Sequence, residues 1–158
     1  MNRIVNTDST HLDLTMKYQK EGKNGIGKPH GLWYSIDREW LDWCKGNMDQ
    51  WIKPYNIKLK IDESKMLIIE TLDQLEAFCK KYEQKVTYSE HITEVNWEKV
   101  KKDYSGIEIR NYHKLKWNGD VWVWNYTIWF CGWDVSSGCI WDLSIITGYM
   151  IIKKQLVK

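Results

Sequence analysis

Between Tyr55 and Asp62 the chain alternates without interruption. Tyr55, Ile57, Leu59 and Ile61 fall on one side, and Asn56, Lys58, Lys60 and Asp62 on the other. A period of two marks a strand with one buried and one wet face, and it excludes a helix, whose apolar residues return every three or four positions. The next segment, Met66 to Ile69, is apolar throughout and reads as a fully buried strand. Then the period changes. Thr71-Leu-Asp-Gln74 has the form of a capping box, and Leu72, Leu75, Cys79 and Tyr82 recur at helical intervals beside Phe78. Two strands and a helix in so short a stretch commit the chain to mixed α and β structure.

The flanking segments extend this reading. Arg3 to Val5 forms a short first strand, and Gly31 to Ser35 a buried one after a glycine-bearing loop from Lys20 to Pro29. Asp37 is placed to cap a short helix presenting Trp40, Leu41 and Cys44, with Gly46 past its end. Lys85 to Glu94 reads as a polar connection. Asn96 caps a brief helix through Asp103, which Gly106 closes, and Ile107 and Ile109 then point opposite to Glu108 and Arg110. Val121 to Phe130, Cys139 to Leu143 and Tyr149 to Ile152 are the remaining expected strands. Trp133 to Trp141 is expected to be a turn, with Gly138 at positive φ and Asp134 and Ser136 as caps. Helices early and strands late give an α+β order rather than a strict βαβ alternation. No repeat or linker divides residues 1–158, so the expectation is a single domain.

A chain of 158 residues buries a core without metal or disulfide staples. Its 23 basic and 21 acidic residues are dispersed, for a net charge of +2, which excludes the usual clustered nucleic-acid footprint. Cys44, Cys79, Cys131 and Cys139 lack C-x-x-C spacing and a histidine at metal-site distance, so they read as free thiols with no metal. Met1 to Asp13 holds no apolar run, and no stretch approaches the roughly 20 apolar residues of a membrane span. A cytoplasmic protein with no membrane partner is expected. Phosphate-binding glycine loops, the nucleophile elbow and the H-E-x-x-H zinc pattern are all absent.

What stands out is the ring content: 11 tryptophans and nine tyrosines against two phenylalanines. Indole and phenol combine apolar area with a polar handle and suit half-wet positions. The excess over core needs points to a ring-lined ligand cleft or a partner surface. Trp33, Tyr34, Trp40 and Trp43 lie close in sequence, and each can stack on a purine or nicotinamide for roughly 1–3 kcal/mol; core packing is the plainer use of such rings. Glu108 carries the second candidate chemistry, one carboxylate between two isoleucines. Such an acid stabilises an oxocarbenium-like sugar as a glycosidic bond breaks, or accepts a ribose hydroxyl. By composition alone the simpler reading is a carboxylate on a wet strand face, paired with Arg110.

Gly31-Leu-Trp-Tyr-Ser, followed by aromatics, resembles the strand and helix that ADP-ribosyltransferases set against the nicotinamide of NAD, and Ile107-Glu108-Ile109 resembles their strand with the catalytic glutamate. The set K-P-x-G-L-W-Y-S, W-x-x-W-C, Y-x-G-I-E-I and W-D-V-x-S-G-C-I-W also resembles a family of uncharacterised phage and viral proteins. The transferase likeness implies a split pair of curved antiparallel sheets with short flanking helices and NAD, the substrate, in the cleft between them. It implies Glu108 as the catalytic carboxylate. Tyr34, Ser35, Trp33, Trp40 and Trp43 would surround the nicotinamide, and Arg3, Asn6 or Thr7 would hold the ribose. The chain departs from the histidine-type pattern by lacking a first-strand histidine, and from the arginine-type pattern by lacking S-T-S.

Three functions are expected. The first is an ADP-ribosyltransferase-like protein passing ADP-ribose from NAD to a protein or nucleic-acid acceptor. The second is a binder that sequesters an NAD-derived or cyclic nucleotide without turnover. The third is a tryptophan-rich interaction module using the rings from 117 to 141.

Overall fold

The computed structural model of the chain describes residues 1–18, 27–86, 89–118 and 128–154. Along the chain run β1 (Arg3–Thr7), β2 (Leu32–Ile36), α1 (Glu39–Cys44), β3 (Tyr55–Ile61), β4 (Met66–Ile69), α2 (Leu72–Tyr82), β5 (Glu83–Val86), β6 (Ser89–Val95), α3 (Trp97–Asp103), β7 (Gly106–Ile109), α4 (Tyr112–Asn118), α5 (Ile128–Cys131), β8 (Ser137–Ile140) and β9 (Ile146–Lys154). Seven strands form one mixed sheet in the order β4-β7-β8-β2-β1-β3-β9, and β5 pairs with β6 in a separate hairpin. Only β4 and β7 run parallel among the described pairs, joined by a crossover that contains α2 and α3. The architecture is α+β. Its main sheet is continuous, where the resemblance implied a split pair.

Capping at α2 is as the sequence dictates: the Thr71 hydroxyl accepts from Gln74 N, and the Gln74 side chain accepts from Thr71 N. Asn96 likewise caps α3 by accepting from Lys99 N. The expected cap at Asp37 does not form. Asp37 lies at φ 47°, and its carboxylate instead accepts from Asn2 N and Asn2 Nδ2 at 2.7 and 2.8 Å, tying β2 to the N-terminus.

Other boundaries move for identifiable reasons. The supposed polar connection from Lys85 onwards is the β5–β6 hairpin, whose register a polar sequence hides. Of the strand expected over Val121 to Phe130, residues 121–127 lie outside the described residues, and Ile128–Cys131 is a helical turn. Gly138 sits within β8, and the left-handed residue of the preceding turn is Asp134 at φ 68°.

Both faces of the sheet are covered. On one, the helix face, Ile69, Ile107, Ile109 and Cys139 pack under Leu75 and Phe78 of α2, Trp97 and Val100 of α3, Tyr112 and Leu115 of α4, and Trp129 and Phe130 of α5. On the other, the loop face, Val5, Tyr34, Ile36, Ile57, Leu59 and Ile140 pack under Leu12, Leu143 and Ile145. Two-sided burial explains why β4 reads as an apolar run while β3, near the open end of the sheet, alternates. Among the described residues no helix is long and apolar enough to cross a membrane.

Candidate functional site

Register decides which candidate residues can meet. Across the sheet Glu108 stands opposite Gly138, and Gly138 opposite Tyr34. Directly paired residues share a face, so Glu108 and Tyr34 both point to the loop face. Arg3 is opposite Ile36, two residues beyond Tyr34 on the same side, and joins them. Trp33 is opposite Cys139, and Ser35 opposite Ser137 and Ile4, which puts Trp33 and Ser35 on the helix face. One strand therefore aims its alternate side chains at two separate sites.

On the loop face Glu108 is fully buried, with 0% of its surface exposed. Its Oε2 accepts from Arg3 Nε and from the Tyr34 hydroxyl, both at 2.6 Å, and its Oε1 accepts from Arg3 Nη2 at 3.2 Å and Arg110 Nε at 2.5 Å. The two arginines also bind Glu63, and Arg110 reaches Glu70 at 2.5 Å. Burial, then the Glu108 carboxylate, push the Tyr34 phenol well above its usual range, so it acts as a donor. Burial alone would lower the Arg3 guanidinium, but its bonds to Glu108 and Glu63 outweigh this and raise it. A carboxylate with four donors around it and no exposed surface is organised as a structural ion cluster. The pairing with Arg110 foreseen from composition is present, though Glu108 is buried rather than on a wet face, with half-exposed Glu63 and Glu70 at the rim of the cluster.

On the helix face, beyond the edge of the helical cover, a cleft of about 390 Å³ opens between two groups of indoles. Trp33 meets Trp133 edge to face, with centroids 4.8 Å apart, on one side. Trp40 and Trp51 line the other and stack at 5.9 Å, and Trp43 backs both at 5.2 and 6.1 Å. Ile4, Ser35 and Ser137 contribute to the lining from the sheet. Lys28 and Lys53 also line the cleft, both partly exposed and loosely paired: Lys28 with Asp134 at 3.5 Å, Lys53 with Asp8 at 3.0 Å.

The local chain explains how Trp51 arrives there. Gly46, at φ 77°, turns the chain after α1, and a helical turn over Asp49–Trp51 brings the third indole back onto the first two. Asn6 then fixes the path from Lys53 to Asn56. Its Nδ2 donates to Lys53 O, Tyr55 O and Asn56 Oδ1 at 2.9, 3.2 and 2.8 Å, and its Oδ1 accepts from Lys53 N at 2.6 Å. Asn6 reaches the cleft as the residue that positions Lys53, its amide engaged by neighbours.

The structure thus brings Trp33, Ser35, Trp40 and Asn6 to the cleft, with Trp43 as a backing ring. Tyr34 is also among the lining residues, but its hydroxyl lies with Arg3 and Glu108 on the opposite face. The acid expected to face the rings does not face them, because Glu108 and Trp33 have opposite parity across the paired strands. Sequence singles out neither Trp51 nor Lys53, and it places Lys28 and Trp133 in motif segments without a role in the cleft. Lys28 heads the K-P-x-G segment and Trp133 the W-D-V segment, so a signal for those two existed, whereas Trp51 lies eight residues past Trp43 and outside the three-residue spacing from Trp40. Among the described residues, no group of three or more His, Cys, Asp or Glu side chains is arranged to hold a metal. No protein-family model matches the chain, and no curated protein or solved structure matches it.

Proposed function

We propose that the protein binds a nucleotide-like ligand of the NAD-derived kind in the indole cleft and holds it without turnover. One observation carries this reading: four tryptophans and two partly exposed lysines line the same cleft. Flat rings take up a base by stacking, worth roughly 1–3 kcal/mol per base, and ammonium groups take up phosphate. The hydroxyls of Ser35 and Ser137 lie among the lining residues and add polar groups that orient a sugar.

The transferase likeness contributes the ligand class to this proposal and little of the chemistry. Transfer of ADP-ribose to a protein or nucleic acid needs an acid beside the departing nicotinamide, and no carboxylate lines the cleft among the described residues. Glu108, the residue that invites that reading, is sealed under Arg3, Tyr34 and Arg110. Of the tryptophans in the interaction-module reading, Trp122 and Trp124 lie outside the described residues. Trp129 and Trp133 are buried at 4% and 2% exposure, and Trp141 is half-buried with its indole N–H on Tyr104 O at 2.7 Å.

The test is calorimetric titration with NAD, ADP-ribose and a cyclic dinucleotide, with chromatography of the recovered ligand. Saturable binding of at least one of them, with intact recovery, is the expected outcome. Free nicotinamide from NAD would reinstate transfer, and no binding to any of the three would remove the proposal.

A further inference from the structure

We infer that the cleft takes the phosphate-bearing, uncharged-base portion of its ligand and rejects a cationic ring such as oxidised nicotinamide. This rests on the reading of the cleft as a nucleotide site. An indole face attracts one cation well, and here the chain supplies that cation itself: Lys28 Nζ sits 5.2 Å from the centre of the Trp33 ring. A pyridinium entering beside it would meet a like charge over the same ring.

Nothing in the lining offsets a second positive charge. Lys53 adds another ammonium, and no carboxylate lines the cleft among the described residues. Asp134 and Asp8 already pair with Lys28 and Lys53, and Glu39, beside the lining residues, accepts from Ser136 N at 2.8 Å. Both of these pairs are partly exposed, with 35% and 71% of the aspartate side chains open to solvent, so each is weak and readily exchanged for a more highly charged anion. A phosphate that displaces the aspartates gains two ammonium partners, while a neutral base stacking on an indole meets no like-charge repulsion. Size points the same way. At about 390 Å³ the cleft lies near the small end of the ~300–1,000 Å³ range of ligand pockets, which suits one nucleotide rather than a whole dinucleotide.

Oxidised and reduced nicotinamide mononucleotide isolate the effect of ring charge, because they share ribose and phosphate and differ by one hydride that removes that charge. Calorimetry on the intact chain is expected to give the reduced form an affinity at least about tenfold higher, with AMP binding as a neutral-base control. Lys28→Gln, at a partly exposed position, is expected to narrow the gap. If AMP binds but the oxidised form binds as tightly as the reduced one, or if the gap survives Lys28→Gln unchanged, the inference fails while the nucleotide site stands. If AMP and both mononucleotides fail to bind, the site and the inference fall together.

Discussion

The Tyr34 hydroxyl donates to Glu108 Oε2 at 2.6 Å across the backbone of an intervening strand. The reach is possible because Gly138 lies between them with no side chain; a Cβ there would sit 2.3 Å from the Tyr34 ring. This bond fixes β2 in register from below, while Trp33 and Ser35 of the same strand look out to the cleft above. Ring-bearing site and buried acid are two sides of one strand.

Glu108→Gln is therefore expected to weaken the fold. It leaves Arg3 and Arg110 over a buried neutral amide, with half-exposed Glu63 and Glu70 as their remaining partners, and breaking a buried pair costs at most about 3–5 kcal/mol. The measurement is a urea unfolding midpoint at neutral pH. Unchanged stability would show that the cluster is not structural.

Gly138→Ala should push the Tyr34 ring off its bed, for a loss of about 1–3 kcal/mol. The same substitution in a Tyr34→Leu background should cost clearly less, because the obstructed ring is gone. A double-mutant cycle reads the difference; strict additivity would mean that the ring does not lie where Gly138 admits it.

Acid should destabilise the protein through several carboxylates. Hydrogen bonds from Tyr82 and Lys81 hold Asp103 below its ordinary value, Ser64 does the same for Asp62, Ser144 for Asp142, and Arg3 for Glu63. A carboxyl depressed in the folded state contributes stability that is present above its unfolded pKa and lost as pH falls through the folded one. The expected curve is level above the ordinary carboxylate range, ~4, and declines progressively below it. Unfolding midpoints between pH 7 and 3 test this, and rising stability on acidification would reverse the assignment.

Much of this architecture is legible from residue order, and its failures are instructive. Alternation locates β3, the apolar run β4, and the N-cap signals α2 and α3, because each rests on contacts a few residues apart. Asp37 fails as a cap because its partner, Asn2, is supplied by a distant strand end. The separation of Glu108 from Trp33 is hidden for a related reason: which face a side chain takes depends on pairing through β8, which no local pattern specifies. The cleft is half legible. Trp33 and Trp40 announce it, but Lys53 comes from a loop whose path is set by Asn6, and Lys28 from a segment held by Trp97 Nε1 on Gly27 O and Cys139 Sγ on Pro29 O.

Trp51→Ala removes a cleft wall while leaving the core intact, since that indole is 45% exposed. Ligand affinity should fall by about tenfold or more, in line with the ~1–3 kcal/mol of a lost base stack. Stability should drop by only about 1 kcal/mol from the broken ring contacts. Isothermal titration and thermal unfolding on the same sample check both numbers; unchanged affinity would move the ligand elsewhere.

Indole N–H resonances tracked by NMR during titration with ADP-ribose test the account most directly. Trp33, Trp40 and Trp51 are predicted to shift together and saturably, while Trp97 and Trp129, packed beneath the helices, stay in place. Saturable shifts confined to Trp97 and Trp129, or no shift at any indole, would contradict a ligand site between these rings.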